Sequence, residues 1–212
     1  MKNVILALDG MDFKSSLKII KEVQDQIYGI KINHTLLSHL PDYIKDGYKV
    51  FVDLKLHDIP NTVEKVIEWL INQKAHMTTV HFNNGEKCLE QIKHLTSSIN
   101  ILIVSHLTSL PSNEPRQRSM YAHMCNTSLY KNFDMILSPL DLHIFNDYDI
   151  KHNFKRVCPG IRFVKTNDDQ VRTSTPEYAI NNGADYLVIG RPLVNAIKSQ
   201  NSDIYVTLFN KV

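Results

Sequence analysis

The stretch VFVDLKLHDIPNTV (residues 50–63) begins as an apolar run and continues into charged residues. The apolar part is typical of a buried β-strand, and the segment after it, NTVEKVIEWLINQK, has apolar residues at helical spacing. The stretch therefore predicts a strand that leads directly into a helix. Asp53, Lys55 and Asp58 stand where a buried strand should stay apolar, so these charges need a reason of their own.

The same unit of strand and helix recurs along the chain. Short β-branched runs begin near residues 3, 28, 49, 77, 100, 133, 155 and 185. They are almost continuously apolar, which is typical of parallel strands that are covered on both faces. Eight units in about 200 residues favour a closed barrel over a doubly wound sheet, which more often has about five to seven strands. We predict an α/β fold, a (β/α)8 TIM barrel, in one domain over residues 1–212.

Composition limits the function classes. The chain has 212 residues, of which 43% are hydrophobic, and 24 basic against 22 acidic residues give a net charge of only +2. There is no general basic field to attract nucleic acid or an acidic membrane surface, so an anionic ligand must be held locally. The N-terminal apolar run is too short for a signal peptide, and no window reaches the roughly 18 apolar residues of a spanning helix. We expect a cytoplasmic protein without a nucleic-acid or membrane partner.

The cysteines and histidines show no spacing that suggests a metal site. Cys88, Cys125 and Cys158 form an odd and scattered set without a C-x-x-C pair, which favours reduced thiols in the core. The histidines likewise lack metal-ligand spacing. His81 stands at the end of a predicted strand, and we assign it no catalytic role.

In a barrel, reactive groups lie at the C-terminal ends of the strands. The polar residues at or just past predicted strand ends are Asp9, Lys31, Asp53, Lys55, His81, Ser105, Thr108, Ser138, Gly190 and Arg191. Side chains alternate along a strand, so Asp53 and Lys55 should share the face that points into the barrel mouth, with Phe51 one step deeper. The sequence therefore predicts one polar rim.

Lys31, Asp53, Lys55 and Asp58 together form an alternating set of charges. A single pair of Asp and Lys at a strand end is equally compatible with a structural ion pair. Burying charged groups costs several kcal/mol per ion unless they pair with one another. The presence of four such charged residues therefore favours a functional role for them.

The segment DLKLHDIPNT contains the pattern D-x-K-x-x-D-I-x-x-T and resembles the orotidine 5'-phosphate decarboxylase family in its bacterial form. The motifs LALD, GIKI, VHF, LTS, PGIR and IGRP agree with this family in order along essentially the whole chain. The resemblance implies a homodimeric enzyme without a cofactor or metal. This enzyme would convert orotidine 5'-phosphate into UMP and carbon dioxide, the last step of de novo UMP biosynthesis.

The resemblance also implies roles for the charged residues. Lys55 would protonate C6 of the pyrimidine, beside Asp53 and beside Asp58 from the partner subunit. Lys31 and Asp9 would bind the ribose hydroxyls, and Lys31 would also hold the charges in place.

Further residues are implied at the dimer interface and around the substrate. Ile59 and Thr62 would reach the substrate across the interface. Thr108 would bind the pyrimidine edge, although the alignment also admits Ser105 or Ser109. The remaining substrate-binding residues would be Pro159, Arg162, Gln170, Gly190 and Arg191, with Gln170 and Arg191 on the phosphate.

Two other functions stay open at this point. A magnesium-dependent sugar-phosphate decarboxylase or aldolase of the same suprafamily would share D-x-K-x-x-D and stabilise an enediolate on the metal. Lys31 argues against it, because a cation site favours an acidic group near that strand end. A non-catalytic binder of nucleotide phosphates should have lost at least one member of the charge set, and all four are present.

Overall fold

The structure, a computed structural model, describes residues 3–148, 154–163 and 172–199. Within these ranges, eight parallel strands close into a barrel in the order of the chain. They are β1 Val4–Ala7, β2 Gly29–Ile32, β3 Val50–Leu56, β4 Met77–His81, β5 Asn100–Val104, β6 Asp134–Ile136, β7 Arg156–Cys158 and β8 Tyr186–Ile189. The eight predicted strands and the (β/α)8 barrel are thereby confirmed.

A helix follows each strand. The helices are α1 Phe13–Val23, α2 Leu40–Lys45, α3 Pro60–Asn72, α4 Gly85–Ile92, α5 Glu114–Asn126, α6 Leu142–Asn146, α7 Pro176–Asn181 and α8 Arg191–Lys198. Short 3-10 helices lie at His34–His39, Phe82–Asn84, Lys93–Ser97, Ser128–Asn132 and Pro139–Asp141. Helix α5 begins at Glu114, because the side chain of Asn113 caps it by accepting a hydrogen bond from the Arg116 amide.

Two apolar cores stabilise the barrel. The larger one packs the outer faces of the strands against the helices. The smaller one fills the barrel interior and consists of Ile5, Ala7, Phe51, Met77, Leu102, Val104, Ile136, Val157 and Val188. The interior is therefore a packed layer, and side chains above it on the same strand faces reach the C-terminal rim. Phe51 lies in this layer as predicted, one step below Asp53.

Three further features concern the thiols, the lengths of the helices and possible metal ligands. Cys88, Cys125 and Cys158 are all buried thiols, so the prediction of core thiols is confirmed. None of the helices in the described ranges is both long and apolar enough to cross a lipid bilayer. The same ranges contain no cluster of three or more His, Cys, Asp or Glu residues that could hold a metal ion.

Candidate active site

A cavity of about 630 Å³ opens at the C-terminal ends of the strands. This volume lies in the usual range for small-molecule sites. The cavity brings together nine of the residues predicted from the sequence, namely Asp9, Lys31, Asp53, Lys55, Thr108, Pro159, Arg162, Gly190 and Arg191. Of the ten polar residues predicted to share one rim, seven therefore line this cavity, and His81, Ser105 and Ser138 do not.

The carboxylate of Asp53 is the centre of the charge set. It accepts hydrogen bonds from Lys55 Nζ at 2.9 and 2.8 Å, and Lys31 Nζ lies 3.2 Å from its Oδ2. Lys31 also donates to both oxygens of Asp9, at 2.9 and 2.6 Å. The resulting order is Asp9, Lys31, Asp53, Lys55, with opposite charges alternating through space.

The two lysines differ in how far their side chains are exposed to solvent. The side chains of Lys31 and Asp53 are only 8% and 5% exposed, whereas the side chain of Lys55 is 42% exposed. Lys55 can therefore contact a ligand in the cavity while Asp53 and Lys31 fix its position from below. This arrangement gives the cavity one accessible ammonium group with a buried counter-ion.

The buried pair stays ionised because each member stabilises the other. Burial alone would raise the pKa of Asp53, but the charges of Lys31 and Lys55 outweigh it and hold that pKa below its ordinary value. Burial alone would lower the pKa of Lys31, but Asp53 and Asp9 reverse the effect and raise it. Both groups are therefore charged at neutral pH.

The end of β3 departs from regular strand geometry. Its pairing with β4 shifts register between Val52 and Leu56, and Lys55 has a φ of 49°, in the left-handed region that side chains other than glycine rarely adopt. Such strained backbone persists only where the surroundings hold it. Simple alternation put Asp53 and Lys55 on one side correctly, but it gave no sign of this irregularity.

Thr79 on β4 is a site residue that the sequence analysis missed. Its hydroxyl accepts a hydrogen bond from the strained Lys55 amide at 2.8 Å and donates one to Asp53 Oδ1 at 2.9 Å. It therefore links the backbone of one charged residue to the side chain of another. The only signal in the sequence was a pair of threonines, Thr78 and Thr79, in an otherwise apolar strand.

The three candidate hydroxyls after β5 have different positions. Thr108 and Ser109 line the cavity, together with His106 and Leu107. Ser105 is buried, and its Oγ lies 3.2 Å from the hydroxyl of Tyr121, outside the cavity lining. The geometry therefore favours Thr108 or Ser109 over Ser105 for contact with a ligand.

Helix α8 begins directly after β8, beside the cavity. Gly190 precedes the helix, and a Cβ atom at this position would lie 3.4 Å from that of Ala7 on β1. Arg191 is the first residue of α8 and lines the cavity. Helix N-termini and arginine side chains both favour phosphate groups, so this corner suits the anionic end of a ligand.

Several predicted residues do not line this cavity. Asp58 and Ile59 lie on the surface between β3 and α3, and Ile59 is 66% exposed. Thr62 borders a separate surface groove on α3 with Asn61, Lys65, Val66 and Trp69. Within one chain, Asp58 therefore does not lie beside the cavity lysines. The two carboxylates that contact these lysines are those of Asp53 and Asp9.

The two remaining residues singled out from the sequence are His81 and Gln170. His81 stacks on His57 with ring centroids 5.1 Å apart, and burial lowers its pKa, so it has a packing role away from the cavity. Gln170 lies outside the described residues.

Known proteins resemble this chain over most of its length. The family model described as "Orotidine 5'-phosphate decarboxylase / HUMPS family" matches residues 2–202. A relative named orotidine 5'-phosphate decarboxylase from Wolbachia sp. subsp. Brugia malayi is 32% identical, with 95% of this chain and 96% of the relative covered. The enzyme of the same name from Wigglesworthia glossinidia brevipalpis is 30% identical, with 91% and 90% covered.

Solved structures show the same fold. The crystal structure of orotidine 5'-phosphate decarboxylase from Lactobacillus acidophilus has a TM-score of 0.72 and 26% identity, and covers 94% of this chain and 98% of its own. The enzyme of that name from Pyrococcus horikoshii has a TM-score of 0.71 and 27% identity, with 91% of each chain covered.

Proposed function

The chain belongs to the orotidine 5'-phosphate decarboxylase / HUMPS family, and from this premise we propose that it converts orotidine 5'-phosphate into UMP and carbon dioxide. The observation that carries the proposal is the cavity-facing ammonium of Lys55, held at 2.8 and 2.9 Å by the buried carboxylate of Asp53. This placement provides a cation for the negative charge that decarboxylation creates. In the family's pathway this reaction completes the synthesis of UMP.

The chemistry explains why a positioned lysine is needed. When the bond from C6 to the carboxylate breaks, carbon dioxide leaves and the electron pair remains on C6 in the plane of the ring, where the π system cannot delocalise it. An adjacent ammonium that is already held in place stabilises this charge electrostatically. The proton of Lys55 then passes to C6, which gives UMP and leaves a neutral amine that solvent reprotonates.

Asp53 has two roles in this proposal. It orients Lys55, and its carboxylate repels the carboxylate of the bound substrate, a repulsion that ends when carbon dioxide leaves. Its lowered pKa supports both roles, because the group stays ionised at neutral pH.

The other cavity residues position the substrate. Lys31 and Asp9 bind the ribose hydroxyls, Thr108 or Ser109 binds the pyrimidine edge, and Arg191 binds the phosphate beside the start of α8. Pro159, Arg162 and Gly190 form the remaining contact surface. Gln170 adds a phosphate contact in the proposal, although it lies outside the described residues.

We also propose that the working enzyme is a homodimer with composite sites. Asp58, Ile59 and Thr62 lie outside the cavity of their own chain, and Ile59 is 66% exposed, which supports a role opposite a second copy. In this arrangement Asp58 supplies a carboxylate to the partner's cavity. One (β/α)8 domain over residues 1–212 and a cytoplasmic location complete the proposal.

The experiment is an ultraviolet assay of orotidine 5'-phosphate with purified protein in excess EDTA. We expect turnover with the wild-type protein and its loss in Lys55→Ala. Lys49→Ala is the matched control, because Lys49 lies just before the same strand and its Nζ packs 4.4 Å from the Tyr28 ring, among residues that do not line the cavity. Turnover only after magnesium is added, or turnover that persists in Lys55→Ala, would contradict the proposal.

A further inference from the structure

A buried ring of polar contacts lies behind the cavity wall, and we call it the anchoring circuit. Ser105 Oγ lies 3.2 Å from the hydroxyl of Tyr121, which donates to Asp141 Oδ2 at 2.9 Å. Asp141 forms an ion pair with Arg172, whose backbone amide donates to the carbonyl oxygen of Thr108 at 3.1 Å. The ring therefore begins at Ser105 and returns to the chain three residues later at Thr108.

The circuit is built from groups that are costly to bury. The residues Ser105, Tyr121, Asp141 and Arg172 are at most 6% exposed. Contacts within the circuit offset part of this cost: Asp141 Oδ1 and the guanidinium nitrogens of Arg172 form an ion pair and have no hydrogen-bond partner among the described residues. Burial also raises the pKa of Tyr121 to about 12, so its hydroxyl keeps its proton and remains a donor at neutral pH. The groups come from four separate parts of the chain, so the circuit fixes those parts relative to one another.

The segment that the circuit holds is a wall of the cavity. Residues 106–109 line the cavity, whereas Ser105, Tyr121, Asp141 and Arg172 do not. Tyr121 contacts the side chain of Ser105, immediately before this segment, and the Arg172 amide donates to the main-chain carbonyl of Thr108, the third residue of the segment. A second contact, from Ser138 Oγ to the Arg172 carbonyl at 3.3 Å, fixes Arg172 to the loop after β6. Thr108 is thus placed by residues that never touch the cavity.

We propose that Tyr121, Asp141 and Arg172 are positioning residues that hold Thr108 and Ser109 at the geometry needed to bind the pyrimidine edge of the substrate. This inference rests on the proposed function for the identity of the substrate. The circuit acts on binding through the cavity wall, so its loss raises KM and leaves the step at Lys55 nearly unchanged.

The test uses Tyr121→Phe, which removes one hydroxyl and keeps the ring packing. Tyr43→Phe is the matched control, because its hydroxyl is also buried and lies 2.5 Å from Ser16 Oγ, among residues that do not line the cavity. Peptide-level hydrogen exchange over residues 105–110, KM, kcat and Tm are measured for both variants. Ser105→Ala provides a second break in the circuit if Tyr121→Phe fails to fold.

We expect Tyr121→Phe and Ser105→Ala to speed exchange in residues 105–110 and to raise KM by about 3- to 10-fold, with kcat changed less than about 2-fold. Tyr43→Phe should lower Tm without either effect. Unchanged exchange in the circuit variants, or an equal rise of KM in Tyr43→Phe, would overturn the inference. Absence of wild-type turnover would refute the proposed function alone, and the exchange measurement would still decide the inference.

Discussion

Asp53 determines the electrostatics of the site because two lysines and one threonine converge on its carboxylate. Its oxygens contact Lys55 at 2.8 and 2.9 Å, Lys31 at 3.2 Å and Thr79 at 2.9 Å. A carboxylate with this many charged and polar partners can remain ionised while almost fully buried. The accessible ammonium of Lys55 is the consequence that matters for the proposed reaction.

Thr79 should be essential for the position of Lys55, and Thr78 should not. Thr79→Val removes the hydrogen bonds to Asp53 and to the Lys55 amide, and we expect kcat/KM to fall by about 10- to 100-fold, as for the loss of a hydrogen bond to a charged group. Thr78 is the neighbouring buried threonine, whose hydroxyl has no hydrogen-bond partner among the described residues. Steady-state kinetics of Thr78→Val should match the wild type, and equal losses in both variants would contradict this role.

The charge set also predicts how stability depends on pH. The pKa of Asp53 is lowered from 3.8, so its contribution is present above that value and is lost as the pH falls through the folded-state pKa. The pKa of Lys31 is raised from 10.5, so its contribution is present below that value and is lost as the pH rises through the folded-state pKa.

We therefore expect the difference in unfolding free energy between the wild type and Asp53→Asn to be constant from about pH 5 to about pH 9 and to shrink below about pH 4. Urea denaturation at each pH measures it. A difference that grows towards acid would contradict the lowered pKa of Asp53.

At the residue scale, the sequence predicts charged site members better than hydroxyl ones. Lys31, Asp53 and Lys55 were found because a charge in an apolar strand is costly and therefore informative. Thr79 carried no such signal, and Ser105 was indicated only by its place at a strand end, because threonine and serine are common in strands and turns. Their roles depend on neighbours from other strands and helices.

At the scale of elements, strand three and the helix after it form the site and the proposed interface together. β3 ends in the irregular backbone at Lys55, and α3 begins at Pro60 after the exposed Ile59. Apolar runs and helical spacing predicted both elements correctly. They could not predict the register shift or the φ of Lys55, which depend on pairing with β4 and on the hydroxyl of Thr79.

The exposed side chain of Ile59, just before α3, allows a prediction about the assembly of the homodimer. Ile59→Asp places a charge in the proposed interface, and we expect sedimentation velocity to show monomers together with a loss of at least about 10-fold in kcat/KM. Tyr178→Asp is the control, because Tyr178 is a large exposed residue on α7. A dimeric and active Ile59→Asp protein would contradict the proposed interface.

At the scale of the whole molecule, the barrel explains why distant parts of the chain share one cavity. The eight strands end at one rim, so residues as far apart in sequence as Asp9 and Arg191 line the same space. The repeated pattern of strand and helix made this predictable. The anchoring circuit was not predictable, because it links parts of the chain that only the folded barrel brings together.

A mixing experiment tests whether the active sites are composite. In the proposed homodimer, Lys55→Ala and Asp58→Ala should each disable every site, but a hybrid dimer would contain one intact site if Asp58 acts across the interface. Random exchange of subunits should therefore restore about one quarter of the wild-type activity. No restored activity after verified exchange of subunits would show that Asp58 acts within its own chain or not at all.

The central claim is that Lys55 stabilises negative charge on C6 and exchanges a proton with it. The most direct measurement is the exchange of the C6 hydrogen of UMP in D2O, followed by NMR with excess EDTA present. We predict that the wild-type protein catalyses this exchange and that Lys55→Ala does not, while Lys49→Ala behaves as the wild type. The claim would be contradicted by wild-type protein that decarboxylates its substrate but does not exchange this hydrogen, or by equal exchange in Lys55→Ala.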